Sequence, residues 1–276
     1  MNLKSTDPKL PGNRCIRLGL VAFLTAATAL LAAPGPEVRT FSATTITTLG
    51  YECLLSLPRG YADAGATRWP LLVFLHGSGE SGHDVHRVAV NGPPKLLDPG
   101  AHLTPAEAAA AEILATRFIV VSPQCPDEGV AWLDDHVLTV IDRLLALYQA
   151  DPDRVYLTGL SMGGYGAWSL ALRHADRFAA VAPVSGGANL LDVLNAEDGT
   201  LPHVAELRRL GLWVVHGAKD DVVPVSESTR VVDYLRKSGV TDLTLTIVPE
   251  HGHDVWNAFY ADPRFYDWLL AHRRLR

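Results

Sequence analysis

The chain predicts an α/β fold: a mostly parallel, eight-stranded sheet with helices on both faces. Three observations carry that expectation. Short apolar runs at 70–75, 118–122, 155–158, 179–184, 212–216 and 243–248 recur along the chain, separated by stretches of helical period. The runs are nearly unbroken in hydrophobicity, as strands buried on both faces must be. Several end abruptly in glycine-rich or acidic turns, and an open α/β sheet presents its ligands beyond the carboxyl ends of its strands.

In chain order, Phe41 to Thr48 and Tyr51 to Leu57 alternate like a hairpin leading into the sheet. The strand at 70–75 is followed by a long excursion over 84–116. Within it Thr104, Pro105 and Glu107 form a helix start, with Thr as cap and Glu positioned for a capping box, so a helix is expected over 104–114. A strand at 118–122 leads to a helix from Leu133 to Tyr148, then a strand at 155–158 and a helix from Tyr165 to His174. The strand Ala179 to Val184 turns off at Ser185-Gly186-Gly187. The strands 212–216 and 243–248 alternate with helices near 226–238 and 263–272. The segment 188–209 is short, so any lid is small and an open groove is expected. No internal repeat, low-complexity block or linker divides the chain.

Residues 1–13 are polar and basic, and Arg14 and Arg17 precede an apolar run from Leu18 to Ala33 that contains Ala27-Thr28-Ala29. Such a run is short for a stable membrane span. A secretory signal peptide over 1–33 is therefore expected, with secreted or periplasmic export; an uncleaved membrane tether is the alternative. Cys15 precedes the apolar run and is wrongly placed for lipid attachment. Residues 34–276 suffice for one single-core domain. A hydrophobic content of 48% and a formal charge of −6 suit a soluble enzyme and supply no basic field for nucleic acid. The sequence has no metal-spaced cluster and calls for no cofactor, and it specifies no oligomeric state.

The strongest local signal is Gly159-Leu160-Ser161-Met162-Gly163, at the end of the run Val155-Tyr156-Leu157-Thr158. A strand that turns at once into a helix with serine at the apex needs small residues two positions either side. This G-x-S-x-G arrangement points Ser161 Oγ out of the top of a sheet. A serine hydroxyl needs a base, and the base an orienting acid, in the chain order Ser, acid, His. Downstream, strand 212–216 runs into Lys219-Asp220-Asp221-Val222-Val223-Pro224, and strand 243–248 into Glu250-His251-Gly252-His253. Asp220 is preferred, being first after the strand with Val222, Val223 and Pro224 closing the turn. Asp221 reads as a solvated turn or helix-cap residue. His251 and His253 are not separated by local chemistry. His216 is expected to pack beneath the site, and His76 to support its own loop through hydrogen bonds. An oxyanion hole would use the backbone N–H of Met162 and one from the loop His76-Gly77-Ser78-Gly79-Glu80-Ser81-Gly82, with Ser78 first and Gly79 in reserve. That glycine-rich loop lacks both the G-x-G-x-x-G and the lysine-bearing phosphate-loop spacing, which argues against a dinucleotide.

These motifs, with Asn91-Gly92-Pro93-Pro94-Lys95-Leu96, Val121-Ser122-Pro123-Gln124-Cys125-Pro126, Trp132 and Gly252-His253-Asp254-Val255-Trp256, resemble the α/β-hydrolase superfamily. More narrowly, the chain is similar to bacterial serine esterases of the phospholipase/carboxylesterase and feruloyl-esterase-like group over most of residues 45–260. The resemblance implies Ser161 as nucleophile, Asp220 as acid and His253 as base, with no metal. It also implies that Gly79, Gln124, Trp132 and Trp256 contact substrate. Where family patterns often carry a small residue, this chain has His251, which leaves room for a role at the pocket rim. The implied activity is cleavage of a small-molecule or polysaccharide-linked carboxylic ester through an acyl-enzyme. A peptidase or thioesterase of the same fold, and a non-catalytic binding module, are the competing readings. In an exported chain Cys53 and Cys125 would lie at adjoining ends of antiparallel strands, placed for a disulfide or as two small hydrophobes.

Overall fold

A computed structural model describes residues 52–63, 65–126, 131–197, 200 and 203–274. The expected signal segment and the strand expected over 41–48 lie outside the described residues. The sheet is formed by β1 (Cys53–Ser56), β2 (Trp69–Leu75), β3 (Ile119–Pro123), β4 (Ala150–Leu160), β5 (Ala180–Val184), β6 (Gly211–Gly217) and β7 (Leu243–Val248). Their spatial order is β1-β3-β2-β4-β5-β6-β7. β1 runs antiparallel to β3, and every other described pair is parallel. Seven strands are thus described where eight were expected, the difference falling on residues 41–48. This is the α/β-hydrolase architecture.

Side chains leave a strand alternately on its two sides. Along β2, Leu71, Val73 and Leu75 enter one core while Leu72 and Phe74 enter the other. The first core is closed by α3 (Asp134–Leu147), α4 (Met162–Arg173) and α7 (Ser226–Lys237), through Ile141, Trp168 and Val231. The second is closed by α1 (Gly92–Leu97), α2 (Pro105–Arg117), α8 (Trp256–Tyr260) and α9 (Pro263–Ala271), through Leu96, Leu114, Tyr260 and Phe265. Helices on both faces explain why the central strands carry no polar face. The segment 188–209 holds two short helices, α5 (Leu190–Glu197) and α6 (Val204–Leu207). Among the described residues no helix is long and apolar enough to cross a membrane.

Besides the short helices α1, α5 and α6, which no sequence expectation covered, two elements differ from the sequence expectation. β4 begins at Ala150, ahead of Val155, because Ala150 pairs with Trp69 before the register shifts between Trp69 and Leu71. In the intervening stretch Asp151 is buried and accepts from Arg154 Nε at 2.8 Å. α8 had no sequence signal; packing of Phe259 and Tyr260 into the second core defines it.

Cys53 lies opposite Pro123, and Cys125 follows two residues on. Cys125 lies in the core, and burial pushes the Cys53 thiol up to about 11.

α2 starts where its cap directs. Thr104 Oγ1 accepts from Glu107 N at 3.3 Å, and Glu107 accepts from Thr104 N at 2.9 Å. The hydrogen bond from Lys95 Nζ (2.7 Å), then that from the Thr104 N–H, holds the Glu107 carboxyl down to about 2. Thr104→Ala should therefore lower stability by about 1 kcal/mol in denaturant titration. Its kcat should equal that of the parent, since the cap lies outside the machinery described next.

Candidate active site

β4 ends at Leu160, and α4 begins at Met162, so Ser161 alone makes the turn, at φ 52° and ψ −116°. A non-glycine residue at such angles is strained and persists only where its surroundings hold it. Here the hold is steric and hydrogen-bonded. Ser161 N donates to Val184 O on β5 at 3.0 Å. The first turn of α4 passes so close to the sheet that a Cβ on Gly163 would lie 2.0 Å from Leu75 O, and one on Gly159 would lie 2.3 Å from Gly163 O. The G-x-S-x-G spacing is thus a clearance requirement on two sides of one turn.

His253 follows β7 and stands over this turn. Its Nε2 is 2.9 Å from Ser161 Oγ, and its Nδ1 is 2.8 Å from Asp220 Oδ2. A carboxylate only accepts, so Nδ1 carries the proton and Nε2 presents its lone pair to the serine hydroxyl. Asp220 Oδ1 accepts from the N–H of Val222 (3.0 Å) and Val223 (2.8 Å). Burial alone would raise the Asp220 pKa. The hydrogen bonds from His253 and from Val223 and Val222 outweigh it, and hold the carboxyl below its usual range. The structure therefore brings Ser161, His253 and Asp220 into one hydrogen-bonded line, while Asp221 is exposed. His251 contributes its backbone carbonyl to Lys219 N at 2.9 Å.

The remaining sequence candidates separate into lining and scaffold. The loop after β2 lies against the nucleophile: a Cβ on Gly77 would meet Ser161 Cβ at 3.5 Å, and Ser78 and Gly79 beyond it are exposed. Met162 opens α4, where the first N–H groups have no intrahelical acceptor. Trp132 packs edge-on to His76 and borders, with Tyr165, Gly166 and Asn189, a cleft of about 580 Å³ beside α4. Trp256 meets the His253 ring edge-on at 5.0 Å. Gln124 is buried, and its Nε2 donates to Glu80 O and Asp84 O, both at 2.8 Å, so its amide nitrogen braces the loop after β2.

His76 and His216 do what their positions in sequence suggest. Cys125 N donates to His76 Nε2 at 2.9 Å, which leaves Nδ1–H to donate to Gly77 O at 2.6 Å. Burial lowers the His76 pKa, in keeping with this neutral ring. His216 is fully buried beneath Asp220, its Nε2 2.9 Å from Val223 O and 3.1 Å from Asp220 Oδ2. One further residue escaped the chemical reading. Asn91 Nδ2 donates to Glu80 Oε1 at 2.7 Å, and its Oδ1 accepts from Trp256 Nε1 at 3.2 Å. Asn91 thus ties the loop after β2 to the loop that carries His253. Its only advance signal was its place in the Asn91-Gly92-Pro93-Pro94 motif. Among the described residues no group of three or more His, Cys, Asp or Glu could hold a metal ion.

A family model for esterases matches residues 114–268, more than half the chain and inclusive of Ser161, Asp220 and His253. The chain belongs to this esterase family. It is 29% identical over 181 residues to "Probable feruloyl esterase C" of Aspergillus terreus, over 64% of this chain and 57% of that protein. It is 34% identical over 87 residues to the bifunctional acetylxylan esterase/xylanase XynS20E of Neocallimastix patriciarum, over 32% of this chain and 11% of that protein. The structure of a thermostable esterase superposes with a TM-score of 0.67 at 27% identity, covering 83% of this chain and 60% of the other. The chain thus spans less than two thirds of the length of each of these relatives.

Two outcomes test this geometry. Gly163→Ala should destabilise the esterase by about 4 kcal/mol or more, read as loss of soluble folded protein, because backbone on both sides blocks the new methyl. The second concerns acid. Folding favours the ionised form of Asp220, so its contribution to stability is present above its unfolded pKa of about 3.9 and is lost as pH falls through the lower folded value. The stability gap between the parent and Asp220→Asn should be constant above about pH 5 and narrow below about pH 4. A gap that widens in acid would contradict the assignment of the shift.

Proposed function

We propose that this esterase cleaves carboxylic esters through an acyl-enzyme formed on Ser161. The observation that carries the reading is the unbroken line Ser161 Oγ, His253 Nε2, His253 Nδ1, Asp220 Oδ2, with separations of 2.9 and 2.8 Å across its two hydrogen bonds. Ser161 Oγ attacks the ester carbonyl carbon as His253 Nε2 takes the hydroxyl proton. Asp220 keeps the ring oriented and stabilises the imidazolium that results. The carbonyl oxygen becomes an oxyanion, held by the backbone N–H groups of Met162 and Ser78. Collapse of the tetrahedral species breaks the bond to the alcohol oxygen, which leaves with the proton from His253. Water then attacks the acyl-enzyme with the same base, releasing the acid and restoring Ser161.

For the substrate we favour small or aryl esters, including those attached to polysaccharide. Trp256, edge-on to the His253 ring at 5.0 Å, sets an aromatic wall beside the base and supports this. The names of the relatives, a feruloyl esterase and an acetylxylan esterase, point the same way. For location we favour export directed by residues 1–33, which N-terminal sequencing of protein recovered outside the cytoplasm would test.

On an aryl acetate, Ser161→Ala, His253→Ala and Asp220→Asn should each lose at least about 100-fold in kcat. Double variants should be little worse than singles, because the three act as a unit. Retention of most activity by Ser161→Ala would remove the mechanism. A panel of p-nitrophenyl esters, feruloyl esters and aminoacyl anilides should show turnover of the esters and little of the anilides. The reverse order would reassign the chain to peptide chemistry. Because a histidine base must be neutral to accept the serine proton, kcat/KM should rise through roughly pH 6 to 8.

A further inference from the structure

We propose that Ser185 is a positioning residue for the base, its buried hydroxyl fixing the loop that carries His253; the inference rests on the serine mechanism above. Among the described residues, the non-glycine residues with positive φ are Ser161 (52°), Ser185 (47°) and His203 (59°). The elbow accounts for the first. His203 precedes α6, its Nε2 3.5 Å from Asp176 Oδ1. Ser185 is completely buried at the end of β5. An L side chain in that conformation is strained, and glycine is not.

The backbone path itself is set by the neighbouring helix. β5 ends at Val184, and the chain then passes hard against α4: a Cβ on Gly186 would lie 2.6 Å from the carbonyl carbon of Gly164. Glycine at 185 would follow the same path without strain. What serine adds is an oxygen, and that oxygen donates to His253 O at 3.0 Å. The same residue is held by its own amide, which donates to Val215 O on β6 at 2.9 Å, and its predecessor Val184 accepts from Ser161 N at 3.0 Å. Ser185 therefore stands between the strand end that fixes the nucleophile and the backbone of the base.

Asp220 grips the His253 ring at Nδ1, which by itself leaves the ring free to swing about that contact. The Ser185 hydroxyl holds the main chain of the same residue. Two holds, one on the ring and one on the backbone, define where Nε2 points. Removing the hydroxyl should leave Asp220 in place and lengthen the reach from Nε2 to Ser161 Oγ, which slows proton transfer. Substrate binding should be unaffected, because a fully buried hydroxyl bonded to the protein backbone does not meet substrate.

The test compares Ser185→Ala and Ser185→Gly with the parent and with Ser161→Ala, on an aryl acetate and by thermal melting. Both position-185 variants should lose about tenfold in kcat with KM within about twofold of the parent. Of the two, the glycine variant should melt at the higher temperature, since it alone relieves the φ of 47°. That split, equal loss of turnover with unequal stability, is what a purely structural serine would not produce. Parental kcat in either variant, or a loss carried by KM, would overturn the proposal. If the alanine variant does not fold, the kcat and KM of the glycine variant decide alone. An active Ser161→Ala would overturn the serine mechanism and this inference together. An inactive Ser161→Ala with a fully active Ser185→Gly would overturn this inference only.

Discussion

The site depends on one close approach, the first turn of α4 against the ends of β2 and β4. Gly163 faces the carbonyl of Leu75 and Gly159 faces Gly163 with no space for a methyl group between them. This contact forces Ser161 into its strained angles and so lifts the hydroxyl clear of the sheet. It also brings the N-terminus of α4, with its unsatisfied N–H groups, beside the glycine-rich loop after β2. The lifted Ser161 hydroxyl and the unsatisfied N–H groups beside it follow from the same absence of side chains.

Every other participant arrives from the carboxyl end of a different strand. His253 meets Ser161 across 92 residues of sequence and Asp220 across 33. Long-range contacts of this kind need a frame that does not yield, and the two cores supply it. Continuous apolar strands such as β2 are clamped from both faces, so the loops above them can be short, polar and exact in position. The loops are then braced to one another. Gln124 holds the loop after β2, Asn91 joins that loop to the tryptophan beside His253, and His216 supports the Asp220 turn from below.

How much of this was legible in sequence follows from the range of the physics involved. The elbow was legible because its constraint is steric and local: glycine two residues either side of a serine, after a strand. The strands themselves were legible because burial on both faces leaves unbroken apolar runs. The α2 start was legible because Thr104 and Glu107 satisfy each other's backbone within three residues. Local chemistry did not choose between His251 and His253, since both flank Gly252; the resemblance implied His253, and the path of the chain brings that ring to Ser161. β4 was read short because its apolar run starts only at Val155, while the pairing of Ala150 with Trp69 is set by the fold. Gln124, read from the resemblance as a substrate contact, spends its amide nitrogen on two loop carbonyls.

Ser185 illustrates the residue class that sequence hides most completely. Ser185-Gly186-Gly187 reads as a turn, and a turn it is, so nothing invites a second question. The question arises only when φ is known, because glycine would serve the turn better than serine does. Where a chain accepts strain that an available residue would remove, the side chain that causes the strain is the feature to explain. At Ser161 that side chain carries the hydroxyl that meets His253 Nε2 at 2.9 Å. At Ser185 it is a hydroxyl bonded to the backbone of His253, one strand over from the nucleophile. Both departures from backbone preference stand at ends of adjacent strands, β4 and β5, and both aim an oxygen at the same histidine.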